Sequence, residues 1–254
     1  MMPAPFRPAL LALALALGTA SLGLTACGKD KDAGAATSGE KIAPVPPPAG
    51  KTWGDVVTKT PEGGYRMGNP DAPIKLIEFA SLTCPHCGEF SEKSSPALRE
   101  TFVNSGRVSY EFRNFVRDAI DLTAAQLTRC GPPEAFFALT EQAFANQTEM
   151  FRQAQGAGEA AYTSAMNQTE NRRGVALGQL TGLTSFFASR GISVDQANAC
   201  LANAKDAQAL AEGTQKQAQE FDITGTPTFL FNGTKSEANT WEAVKAQLEA
   251  MGAR

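Results

Sequence analysis

The run Ile74-Lys75-Leu76-Ile77-Glu78-Phe79-Ala80, followed at once by Ser81-Leu82-Thr83-Cys84-Pro85-His86-Cys87, decides how the rest of the chain is read. Its first seven residues form an apolar strand pattern, and the residues after Cys87 carry helical spacing through Phe90, Ala97, Leu98 and Phe102. A Cys-X-X-Cys at a strand-to-helix junction is a redox arrangement. Disulfide exchange needs a thiolate at a controlled pKa, open to a partner, with a second thiol close enough to close the ring. With Cys84 at the helix start, unpaired N–H groups and the positive end of the helix dipole favour its thiolate. Pro85 suits the first helical turn, where its missing N–H is no loss. His86 can add a hydrogen bond or a positive charge beside the sulfur, and Cys87, one turn in, is expected to be deeper and less reactive. A favoured Cys84 thiolate lowers the free energy of the reduced form, which makes the oxidised form a good electron acceptor. The rival reading, half of a zinc site, would need Cys130 and Cys200 as further ligands, because the single histidine of the chain lies inside the motif.

Working outward, the turn-rich stretch from Gly63 to Pro73 leads into the strand, and Val108 to Phe115 (VSYEFRNF) alternates in the manner of another. From Asp118 to about Gln219 the pattern is helical. Pro133 starts a helix through Phe136, Phe137, Leu139 and Phe144; Val175 to Phe187 reads as another; Ser193 caps a third that contains Cys200. Then Phe221 to Phe231, with Gly225-Thr226-Pro227-Thr228, gives a turn and a short strand. Asn232-Gly233 signals a hairpin, and Trp241 to Met251 a last amphipathic helix. The fold class is therefore α/β, a sheet-bearing frame with a helical subdomain inserted at about 118–219, since that stretch is too long and too periodic for a loop.

The order strand, CPHC, helix, strand, helical insertion, Gly-Thr-Pro-Thr-Phe, hairpin, helix resembles the DsbA family of thiol:disulfide oxidoreductases over roughly Gly63 to Gly252. The resemblance implies a thioredoxin-like fold with an inserted helical subdomain, and a protein disulfide oxidoreductase that works with Cys84, Pro85, His86 and Cys87 and without metal or cofactor. It further implies that Glu78 is a buried carboxylate exchanging a proton with Cys87. Strand alternation alone equally allows Glu78 to face solvent. Thr226-Pro227 would be the cis-proline loop whose Thr226 backbone pairs with extended substrate, an ordinary trans proline being the alternative. Cys130 and Cys200 most simply form a structural disulfide in an oxidising compartment, as in some relatives of the family; two buried free thiols are the alternative.

Before this body, Arg7 and the short apolar run from Ala9 to Leu17 read as a signal peptide over residues 1–26, too short to span a membrane; an uncleaved anchor is the alternative. Leu24-Thr25-Ala26-Cys27 resembles the lipobox of bacterial lipoproteins, which implies that Cys27 carries lipid; otherwise it is a free cysteine after an ordinary secretion signal. The charged and proline-rich stretch that follows reads as a flexible tether, so that residues 27–62 hold the domain 63–254 away from a membrane.

At 43% hydrophobic and 19% charged, the chain is neither a disordered polymer nor a multi-span membrane protein, and its net charge of -3 gives no general affinity for nucleic acid. The expected partners are reduced secreted or periplasmic proteins, a DsbB-like quinone-linked membrane oxidase, and a bacterial membrane through the lipid. The leading function is a periplasmic, lipid-anchored oxidase that introduces disulfides. An isomerase or reductant kept reduced by a DsbD-like protein is the alternative within enzymes, and a non-catalytic chaperone or assembly lipoprotein the alternative outside them. The five cysteines divide as Cys27 for lipid, Cys84 with Cys87 for exchange, and Cys130 with Cys200 for structure.

Overall fold

The computed structural model of the protein describes residues 39–254; the signal segment, the lipobox and Cys27 lie outside the described residues. The frame is built from strands β1 (Val57–Lys59), β2 (Tyr65–Met67), β3 (Ile74–Ala80), β4 (Val108–Asn114), β5 (Thr228–Phe231) and β6 (Thr234–Ser236) in the order β1-β2-β4-β3-β5-β6. Only β3 and β4 run parallel, from Ile74 opposite Val108 to Ala80 opposite Asn114; the other neighbours are antiparallel. Helix α1 (Pro85–Ala97) makes the crossover between the parallel pair. The hairpin from β5 to β6 turns on Asn232 (φ 50°) and Gly233 (φ 83°), the two consecutive left-handed residues that a tight turn of this kind requires.

Alternation on β3 builds two cores. Ile74, Leu76 and Ala80 face the larger one, with Phe90, Phe102 and Trp241, while Phe79 joins Leu230 and Ile223 on the other side of the sheet. Strand β4 is buried at all seven positions despite its alternating sequence. Its polar face is covered and internally paired: Glu111 Oε1 lies 2.7 Å from Arg113 Nε and accepts from Thr60 Oγ1 at 2.7 Å.

Seven helices fill the stretch between β4 and β5: α2 (Ala119–Thr128), α3 (Phe136–Ala145), α4 (Gln147–Met166), α5 (Glu170–Leu180), α6 (Leu183–Ala188), α7 (Val194–Leu201) and α8 (Ala204–Glu220); α9 (Trp241–Ala250) follows β6. Their starts are capped as the residue types require. Asp118 accepts from the N–H groups of Ile120 and Asp121, Ser193 from Gln196, Asn203 from Asp206 and Thr240 from Ala243. The helical part meets the sheet through Tyr65 of β2, which stacks on Phe136 at 3.9 Å between ring centroids and lies under the Arg129 guanidinium at 5.0 Å.

Two readings of the sequence differ from the structure. The single helix read from Val175 to Phe187 is two, because Gly182 sits at φ 71° and breaks the ladder between α5 and α6 while the apolar spacing runs on through the break. The flexible tether read over residues 27–62 does not extend through its described part. From Gly39 on, the segment is a strap pinned by backbone bonds of Gly39 N–H to the Ala250 carbonyl, Ile42 N–H to that of Gly252 and Val45 N–H to that of Ser105. The Trp53 indole, buried in the larger core, donates to the Val45 carbonyl at 2.8 Å, and β1 is already in the sheet. The composition misleads here because a proline-rich segment can still satisfy its few N–H groups on a neighbouring surface.

Cys130, just past α2, is bonded to Cys200 in α7, closing a loop of sequence separation 70. The two zinc ligands that the rival reading needed are thus joined to each other. Replacing both cysteines by alanine is expected to lower unfolding free energy by about 3 to 4 kcal/mol, chiefly by freeing the unfolded chain. Urea unfolding of the double variant and the parent checks this; equal midpoints would refute it.

Candidate active site

Strand β3 delivers the chain at Ala80, and a tight turn, Cys84 N–H to the Ser81 carbonyl at 3.1 Å, sets Cys84 as the N-cap of α1 with Pro85 at its first position. Both Cys84 and Cys87 are thiols, 3% and 0% exposed. The reactive sulfur is therefore less open than exchange chemistry suggests, because the Thr226-Pro227 loop, with its cis peptide bond, lies over it. As a thiol, Cys84 Sγ donates to the Thr226 carbonyl at 3.3 Å.

The two sulfurs are driven apart in acidity. The Cys87 thiol donates to Cys84 and, with the Thr226 side chain and the backbone N–H groups of Cys87 and His86, pulls Cys84 down to about 4 against the cost of its burial. Burial pushes Cys87 far above an ordinary thiol, and the hydrogen bond to Cys84 and the negative charge of Glu78 add to that; the Ser81 backbone amide opposes. The His86 backbone N–H is among the groups that lower Cys84. His86 borders a groove of about 290 Å³ lined also by Glu89, Phe90, Lys93, Pro227 and Trp241.

Glu78 is 1% exposed, directed into the protein and not to solvent. Burial raises its pKa to about 8, the Tyr110 hydroxyl that donates to Oε2 moderates the rise, and the Cys84 charge adds to it. Oε1 has no hydrogen-bond partner among the described residues. At neutral pH the group is thus a protonated acid within the electrostatic reach of Cys87.

The sequence reading missed the residues that hold the loop. Thr83 Oγ1 donates to Asp118 Oδ2 at 2.7 Å; Ser81 Oγ and Leu82 N–H donate to the Asp121 carboxylate at 2.6 and 2.8 Å. From the opposite side Gln147, first residue of α4, donates its Nε2 to the carbonyls of Leu82 at 2.9 Å and Cys84 at 3.0 Å. Gly88 leaves room for that amide, since a Cβ there would stand 2.8 Å from Gln147 Oε1. Asp118 opens the helical stretch and is a residue type that caps helices, a signal that could have marked it. Gln147 sat in an Asn-Gln-Thr triplet with no bearing on redox chemistry, and nothing in the local pattern marks Tyr110 or Asp121.

The chain is similar to known proteins of this fold. Residues 60–250 match the family model described as Thioredoxin. A crystal structure of a protein-disulfide isomerase from Novosphingobium aromaticivorans is 33% identical, with a TM-score of 0.69 over 73% of this chain and 95% of that one. The fold is shared with Wolbachia pipientis alpha-DsbA1, 24% identical, TM-score 0.59, over 74% of this chain and 89% of that one. A Rickettsia bellii protein provisionally named a protein-disulfide oxidoreductase is 25% identical over 76% of this chain and 66% of its own length; its Rickettsia typhi counterpart is 26% identical over 67% and 55%. The chain thus spans between about half and two thirds of these curated relatives.

Proposed function

The chain belongs to the thioredoxin family, among thiol:disulfide oxidoreductases of DsbA type, and from that premise we propose that it is an oxidase that introduces disulfide bonds into secreted proteins. The observation that carries the reading is the unequal acidity of the two thiols, with Cys84 near 4 and Cys87 held protonated. A reduced form stabilised in this way leaves the disulfide form eager to accept electrons.

A substrate thiolate attacks Cys84 Sγ; a substrate–Cys84 disulfide forms, the Cys84–Cys87 bond breaks, and Cys87 leaves with the electron pair. Glu78, protonated below about 8, supplies the proton that Cys87 takes up. A second substrate thiolate then attacks the substrate sulfur of the mixed disulfide, closing the substrate's bond and releasing Cys84 as the thiolate that its surroundings favour. Pro85 starts the helix beneath Cys84, and Thr226 presents backbone to an extended substrate segment beside Pro227.

In this reading residues 1–26 are removed as a signal, Cys27 carries lipid, and the enzyme works at a bacterial membrane on the periplasmic side. Residues 63–254 carry the catalytic domain, and a DsbB-like quinone-linked oxidase restores the Cys84–Cys87 disulfide. An isomerase that works from the reduced state is the second reading, favoured by the name of the Novosphingobium relative. Trapping thiols in living cells with an alkylating mass tag separates the two. The oxidase keeps Cys84 and Cys87 mostly as disulfide; a mostly reduced pair would overturn the oxidase in favour of the isomerase.

A further inference from the structure

Asp121 is 1% exposed, yet it is the only carboxylate facing the loop 81–83 from within the first turns of α2 besides the cap Asp118. Three donors converge on it: Ser81 Oγ at 2.6 Å, Leu82 N–H at 2.8 Å, and Arg117 N–H at 2.9 Å. Burial raises the Asp121 pKa to about 7, against the bonds from Ser81, Arg117 and Leu82 that favour the anion, and two of these three fasten the residues that link β3 to the reactive cysteines. Ser81 Oγ in turn accepts from Thr83 N–H at 3.2 Å, and the Ser81 carbonyl closes the turn onto Cys84 N–H at 3.1 Å.

We infer that Asp121 is a positioning residue for thiol–disulfide exchange: by holding Ser81 and Leu82 it fixes where the loop stands against the buried sulfur of Cys87. The consequence falls on the leaving group. When a thiolate attacks Cys84, the electron pair passes to Cys87, and the Ser81 amide is the backbone group that favours its anionic form. A loop free to drift withdraws that amide, and a poorer leaving group slows the attack. The ionisation of Cys84 rests on different groups, namely Cys87, Thr226 and the amides of α1. Asp121 should therefore change the rate of exchange and leave the Cys84 titration alone.

The inference rests on Cys84 and Cys87 being the exchanging pair, as proposed above, and is independent of the direction of transfer. It is tested on the purified protein by timing cleavage of the Cys84–Cys87 disulfide with reduced glutathione, alongside the 240 nm thiolate absorbance of the reduced protein against pH. Asp121→Ala is expected to slow cleavage about tenfold, the equivalent of one lost hydrogen bond to a charged group, with the Cys84 midpoint unmoved. Asp121→Asn, whose amide oxygen still accepts from Leu82, should recover part of the rate. A folded Asp121→Ala protein that is cleaved at the parental rate overturns the inference, and so does slow cleavage accompanied by a raised Cys84 midpoint. Where Asp121→Ala does not fold, Ser81→Ala removes only the hydroxyl bridge; it must slow cleavage, and a parental rate overturns the inference. A parental protein that glutathione cannot cleave at all would instead refute the exchange function itself.

Discussion

Cys84→Ser protein should transfer no disulfide to a reduced peptide, with the rate falling at least about a thousandfold, to the uncatalysed background, because the atom that is attacked and later released is gone. The companion variants assign the second thiol. Cys87→Ser also cannot store a disulfide, but its hydroxyl can replace the donor that contributes most to the Cys84 thiolate. That protein should capture glutathione as a stable adduct on Cys84, visible as one added tripeptide mass. Cys87→Ala lacks the donor, so its Cys84 absorbance should titrate above the parental midpoint. Peptide oxidation surviving Cys84→Ser would sink the mechanism, and adducts found on Cys87 in the parent would reverse the roles.

The second large effect links acidity to stability. Cys84 ionises near 4 in the folded reduced protein against about 9 in an unfolded chain. Its folded value is depressed, so the stabilisation is complete above the unfolded value and disappears as pH falls through the folded one. At pH 7 it amounts to at most about 4 kcal/mol, from about 1.4 kcal/mol for each pH unit above the folded value, reduced by solvent screening of the sulfur. The disulfide form has no such thiolate, whereas Glu78 is common to both forms and largely cancels. The stability of the reduced protein relative to the disulfide form should therefore fall by about that amount between pH 7 and pH 4. Urea unfolding of both forms at the two pH values measures it, and a difference indifferent to pH would contradict the account of the thiolate. The same quantity is the driving force for oxidising clients, since whatever favours the reduced enzyme disfavours its disulfide.

The frame was legible because its signals are local and mutually consistent. Period-two burial on β3, a proline directly after Cys84, and an Asn-Gly turn each state their geometry within a few residues. The helical insertion was legible as a whole, but its internal break was not: Leu177, Leu180, Leu183 and Phe187 keep helical spacing across Gly182, and periodicity cannot register a change of axis. The supports of the site were hidden for a different reason. Asp121 and Gln147 lie 39 and 65 positions from the Leu82 groups they bind, and a polar residue acting at that distance leaves no trace in the pattern around it. Glu78 was expected only through the family resemblance, since strand alternation equally allows it to face solvent; its burial is what the structure adds.

The strap has a consequence for reach. Should lipid sit on Cys27 as proposed, the span between it and the folded body is counted to Gly39, fastened beside Ala250, and not to Gly63. About a dozen residues extend to about 40 Å, against about 120 Å for the longer span, at roughly 3.4 Å per residue. Thr240 and Trp241, at the start of α9, border the groove, while Gly39 is fastened where that helix ends, so the chain joins the folded body at the end of α9 away from the groove.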